Sequence, residues 1–272
     1  MKIMKTVALF GLGVLIFGRI QAQSEVKEQL VVPLSEPGKP FKISAHVLHG
    51  AVKVTGYEGK DVVIDVTGDQ SRRRESSGGG GMKRIGGSAG GELSAEEENN
   101  TVNINSGLSH FSLIEIKVPQ TVGTFNIGAV NDGNITIDNV SGQLEVTNVN
   151  GEITLTGISG SVVANTVNGD VVVGFKSIDA KAPMAFSTLN GKIDVTFPSD
   201  LKANVKVKSE RGDIFSDFDI EVVKDKPSVN KTTEGHMHRI SIDEWVYGKI
   251  NGGGPEMMMK TSFGSVYIRK AK

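Results

Sequence analysis

The stretch Asn131–Val173 reads "NDGNITIDNVSGQLEVTNVNGEITLTGISGSVVANTVNGDVVV". Glycine falls at Gly133, Gly142, Gly151, Gly160 and Gly169, a ladder of nine. After each glycine the pattern is G-x-φ-x-φ, where φ is apolar: Ile135 and Ile137, Leu144 and Val146, Ile153 and Leu155, Val162 and Ala164, Val171 and Val173. Alternation at period two marks a strand with one buried face. Thr136, Glu145, Glu152 and Thr154 fill the intervening outward positions. Asn-Gly, Asp-Gly and Ser-Gly pairs supply the positive φ of a tight turn, so each unit is a short strand and a corner.

The pattern extends outward from this core. Gly50 leads Val52 and Val54, Gly191 leads Ile193 and Val195, and Gly264 leads Val266 and Ile268. Gly212 leads Ile214, although Ser216 breaks the second position. The corners alternate in type. Asn or Asp precedes Gly133, Gly151 and Gly169, whereas Ser precedes Gly142 and Gly160. The true repeat is therefore about 18 residues, two strands and two corners, a period that signifies stacking units. "STLNGKIDV" from Ser187 is the same unit after a small insertion in "KSIDAKAP".

This predicts an all-β fold, a β-solenoid of two-strand coils in which neighbours cover each apolar face. Ile135, Ile153, Val171 and Ile193 would form one column, and Leu144 and Val162 the facing one. The eight glycines Gly133, Gly142, Gly151, Gly160, Gly169, Gly191, Gly212 and Gly264 are the expected structural corners. The alternative is an antiparallel meander or sandwich, because Asn-Gly is also a strong hairpin signal.

The chain of 272 residues opens with "MKIMKTVALFGLGVLIFGRIQA", a basic start and a short apolar run. That pattern is expected to be a signal peptide over 1–22, exporting the protein to the periplasm or cell surface. A single β-repeat domain over 23–272 would follow, with no transmembrane span left once the leader is cleaved. Net charge is −1, and loss of the leader's three cations makes it more negative, so nucleic acid is not an expected partner. Cysteine is absent, which excludes disulfides, thiolate zinc sites, thiol nucleophiles and a lipidated cysteine.

Two stretches break the period. Residues 69–100, rich in Gly, Ser and charge, are expected to form a mobile loop, with Arg72–Arg74 and Glu96–Glu98 at its ends. Residues 222–260, which hold the sole tryptophan, Trp245, are expected to be an irregular insertion or cap.

The leader, "FKISAHVLHGAVKVTGYEGKDVVIDV", the central repeats and "TSFGSVYIRK" resemble the bacterial β-strand-repeat "putative adhesin" family, a domain family of unknown function. The resemblance implies an exported, β-solenoid-like envelope protein and supplies no catalytic residues.

Other chemistry is weakly signalled. His236 and His238 share a strand face, with Glu234 and Asp243 nearby, whereas His46 and His49 face opposite sides. Arg211-Gly212-Asp213 spells an integrin-binding tripeptide, but the repeat already explains Gly212. Asp132, Asn134, Asp138, Asp170 and Asp194 lie at or near corners, yet the glycine-rich pattern of calcium-binding nonapeptides is missing. Asn148, Asn150, Asn165 and Asn168 are expected to hydrogen-bond successive corners. No cofactor or metal is expected. The functional expectation is a non-catalytic envelope or surface-interaction protein, adhesin-like, whose partners would be envelope glycans or proteins. A self-assembling periplasmic module and a carbohydrate-active enzyme are the alternatives; no paired carboxylates support the last.

Overall fold

The computed structural model describes residues 27–68, 92–107, 111–131, 133–223, 228–234, 237–243 and 245–272. The expected leader, Arg72–Arg74, Asp132 and His236 lie outside them.

The described chain is built from strands. β1 (Lys27–Val32) is followed by the first coil, β2 (Phe41–His49) with β3 (Ala51–Tyr57). β4 (Val62–Gly68), β5 (Ser94–Glu98), β6 (Thr101–Asn105) and β7 (Phe111–Pro119) come next. A regular run then winds through β8 (Val122–Asn131), β9 (Ile135–Asp138), β10 (Ser141–Asn148), β11 (Ile153–Asn168), β12 (Val171–Ile178), β13 (Met184–Asn190) and β14 (Ile193–Phe197). β11 carries two coil strands in one, with its register against β12 shifting between Leu155 and Ser159. The chain ends with β15 (Ala203–Ser209), β16 (Ile214–Ser216), β17 (Ile220–Val223), β18 (Ser228–Glu234), β19 (Met237–Asp243), β20 (Val246–Ile250), β21 (Glu256–Phe263) and β22 (Val266–Lys270).

Successive coils pair in parallel, so the Asn-Gly and Ser-Gly corners are not hairpins and the meander is excluded. Each coil puts one strand on a first face and the next on a second face. Along the first face the parallel order is β6, β2, β8, β10, the end of β11, β13, β21 and β15. Along the second it is β7, β3, β9, the start of β11, β12, β14, β22 and β16.

The coils do not stack in chain order. The first coil, β2–β3, lies between β6–β7 and β8–β9. The last, β21–β22, lies between β13–β14 and β15–β16. Both ends of the repeat are thus threaded one coil inward. Antiparallel strands flank the stack: β5 on β6, and β4 then β1 on β7, at one end; β20 then β17 on β15 at the other.

Register gives the core. Ile114, Val52, Ile135, Ile153, Val171, Ile193, Val266 and Ile214 form one column on the second face. On the first, Leu144 pairs with Val162, and Ile104, Ala45, Ile127, Val146, Ala164, Phe186, Met259 and Val207 run in line. These side chains belong to a single hydrophobic cluster. The rings of Phe175 and Phe197 on the second face meet Phe186 on the first at 6.4 Å each, so the interior is filled across its width.

Residues 222–260, expected to be irregular, are mostly strand. The period is lost there because β17 and β20 pair antiparallel, and β18 with β19, in place of winding. Glu96–Glu98, expected at the edge of a loop, lie in β5.

Candidate interaction surface

The corners are fixed by a close backbone stack. In spatial order Gly50, Gly133, Gly151, Gly169, Gly191, Gly264 and Gly212 occupy one corner of consecutive coils. A Cβ on Gly151, Gly169, Gly191, Gly264 or Gly212 would collide with the carbonyl of the glycine before it in that order. Gly142 and Gly160 stand in the same relation to Gly123 and Gly142 at the opposite corner. A turn requirement alone does not account for them: positive φ is found at Gly142 (131°), Gly151 (159°), Gly160 (139°), Gly169 (153°) and Gly191 (157°), but not at Gly212 or Gly264. Close approach is what excludes a side chain.

A buried polar ladder accompanies this column. Asn148 Nδ2 donates to the Gly133 carbonyl (3.1 Å), Thr166 Oγ1 to Gly151 (3.0 Å) and Thr188 Oγ1 to Gly169 (2.8 Å). Thr261 Oγ1 donates to Gly191 (2.8 Å) and Ser209 Oγ to Gly264 (2.7 Å). Each donor sits three residues before its own coil's glycine, so the sequence carries the signal [N/T/S]-x-x-G. Outside runs an exposed amide ladder: Asn190 Nδ2 donates to Asn168 Oδ1 (2.7 Å), Asn168 to Asn150 (2.8 Å) and Asn150 to Asn131 (3.3 Å). Asn148, Asn150 and Asn168 thus bond across coils, and Asn165 accepts from Ser187 at 2.8 Å.

The remaining candidates are dispersed. Asn134 Oδ1 accepts the Glu152 amide and Asp170 Oδ1 the Lys192 amide, both at 2.9 Å, so these corner groups serve the backbone. Asp194 holds Arg269 through two hydrogen bonds, 2.6 and 3.0 Å, which push the guanidinium further up from its ordinary value. Arg269 also lies over Tyr267, itself stacked on Phe215. His46 is exposed on β2 and lies beside Gly128. In the β18–β19 ladder His238 pairs with Thr233 near one end and Asp243 with Ser228 at the other. Among the described residues no three His, Asp or Glu converge as metal ligands. Arg211-Gly212-Asp213 occupies the stacked corner, Gly212 being the column member and Arg211 lying 5.0 Å from the Phe263 ring centre.

Residues that sequence reasoning missed lie on the outer surface of the first face. Trp245 brings its ring over β15, with Lys206 Nζ 4.6 Å and Lys208 Nζ 5.8 Å from its centre. Tyr247 pairs with Lys206 across the β15–β20 ladder. No local pattern announces this contact, because β15 and β20 are nearly forty residues apart.

The profile of the Toastrack DUF4097 family matches residues 25–244. The chain belongs to that family. None of the curated proteins matches it significantly. Two solved structures are similar. One is described as a putative cell adhesion protein from Clostridium sporogenes, at 11% identity and a TM-score of 0.47 over 91% of this chain and 100% of that one. The other is a putative adhesin from Bacteroides fragilis, at 14% identity and a TM-score of 0.38 over 91% and 98%. Among the described residues no helix is long and apolar enough to cross a membrane.

Proposed function

We propose that the protein is an exported, non-catalytic envelope protein that works by surface contact, adhesin-like, using a rigid repetitive β surface. The observation that supports this best is the architecture. Several carboxylates are spent on structure, Asp170 on a corner amide and Asp194 and Asp65 in pairs across strands. What the coils offer to solvent is two broad faces of regularly spaced side chains. The basic, apolar leader pattern supports export.

The test uses the absence of native cysteine. Thr156 is exposed on the second face. A Thr156→Cys protein in its source cells should react with a membrane-impermeant maleimide. Labelling only after the outer membrane is opened would replace surface contact with a periplasmic role, and an unprocessed cytosolic chain would overturn export.

One observation favours the assembly reading. The strands that close one end, β16 and β17, expose Phe215, Val222 and Val223 at 48–54%. The edge strand β5 at the other end exposes Glu96 and Glu98, charges that discourage edge pairing. Assembly through the apolar end predicts a concentration-dependent dimer in sedimentation that Phe215→Lys abolishes.

A further inference from the structure

We infer that the outer surface of the first face, around Trp245, binds an anionic polysaccharide of the polyuronate type. This rests on the surface-contact reading and names its partner.

The inference begins with charge. Outward positions of adjacent strands carry Lys206 and Lys208 on β15 and Lys260 on β21, with Lys208 directly opposite Lys260 in register. Arg211 follows at the bounding corner. Among the described residues two acids lie close to these cations: Glu210, 3.7 Å from Lys208 Nζ, and Glu256 on β21, in register with Asn204. Lys206, Lys208, Lys260 and Arg211 thus outnumber the acids near them on this area of the sheet, in a chain whose net charge is −1. The field is local, and it complements a partner whose anionic groups are spaced along an extended chain.

The aromatic groups set the class of partner. Lys206 and Lys208 are drawn over the indole of Trp245, Lys206 also lies 5.9 Å from the Tyr247 ring centre, and Arg211 lies over Phe263. Cation–π contact holds the long side chains near the surface, which lowers the entropy cost of ordering them on binding. Phe263 is 48% exposed and Trp245 partly so. A pyranose ring has an apolar face that packs on such rings while its carboxylate meets a lysine. Lys208 and Lys260 stand on neighbouring parallel strands, about 4.8 Å apart, and so present two cations side by side. These groups stand on the outer side of a sheet, a setting that suits a long chain better than a small molecule that needs enclosure.

Trp245 is the sole tryptophan, so its fluorescence reports on this surface alone. Titration of the full chain with polygalacturonate should change its emission saturably, and the apparent affinity should fall with added salt. Lys206→Gln with Lys260→Gln should weaken the response about tenfold or more, because both remove positive charge that faces the partner. Lys176→Gln, on the opposite face, should leave it unchanged. Circular dichroism identical to the parent shows that the double variant is folded; if it is not, Lys260→Gln alone, at an exposed position, should still weaken binding severalfold. No response, an equal response to neutral dextran, or tighter binding of single-stranded DNA than of polygalacturonate would overturn the inference. Any of these with surface labelling of Thr156→Cys intact would leave the surface-contact reading standing.

Discussion

A single methyl group separates a tolerated glycine replacement from a ruinous one in this chain. A Cβ on Gly169 would strike the backbone carbonyl of Gly151, which cannot move without shifting a whole coil. Gly169→Ala should therefore cost more than about 2 kcal/mol, or prevent folding, in urea denaturation. Gly174 has no atom closer than 3.9 Å to its prospective Cβ, and Gly174→Ala should change stability by less than about 0.5 kcal/mol. Thr188→Val keeps shape and removes the hydroxyl that satisfies the Gly169 carbonyl. It should cost about 1–3 kcal/mol, the penalty for an orphaned buried acceptor, and an unchanged midpoint would contradict the buried ladder. The glycines were legible in the sequence because their spacing is regular. Their reason was not: φ is a local property, whereas the obstruction comes from a carbonyl one coil away.

Strand by strand, the regular run from β9 to β14 could be read directly, since period-two alternation and corner residues agree there. The flanks could not. At β4 and β7 pairing turns antiparallel, and register there depends on contacts across more than forty residues, such as Lys117 Nζ to Asp65 Oδ2 at 2.9 Å. Lys117 first, then Gln29, hold the Asp65 carboxyl below its ordinary range. A depressed folded value means that the carboxylate stabilises the fold above the unfolded pKa, near 4, and that this contribution is lost as pH falls through the lower folded value. Asp65 is half-buried and its partner Lys117 is open to solvent, so Asp65→Asn should cost about 1 kcal/mol at pH 7. The gap between variant and parent should close in thermal melts taken well below pH 4; a gap that persists there would show that the pair's charge is not its cause.

For the whole molecule, the threading of both terminal coils has consequences that no repeat pattern contains. β21–β22 separates β13–β14 from β15–β16, so the coil made last supports one made earlier. Removing residues 256–272 should leave β15–β16 without its parallel partner and expose that end to limited proteolysis, while the regular run stays protected. The sequence places β16 and β22 in the repeat, through Gly212 and Gly264, but not which of them stands next to β14, because both fit the same alternation. The same blindness hid the Trp245 surface, which exists only once β20 has folded back on β15. The cysteine-free background allows the most direct test of the threaded order. Asp194 lies opposite Tyr267 in register, and Tyr267 opposite Phe215, so Asp194 and Phe215 are two strands apart. Asp194→Cys with Tyr267→Cys should be joined readily by a short bifunctional thiol reagent, and Asp194→Cys with Phe215→Cys should not. Efficient joining of the second pair, with none of the first, would mean that the coils stack in chain order and would contradict the threaded solenoid.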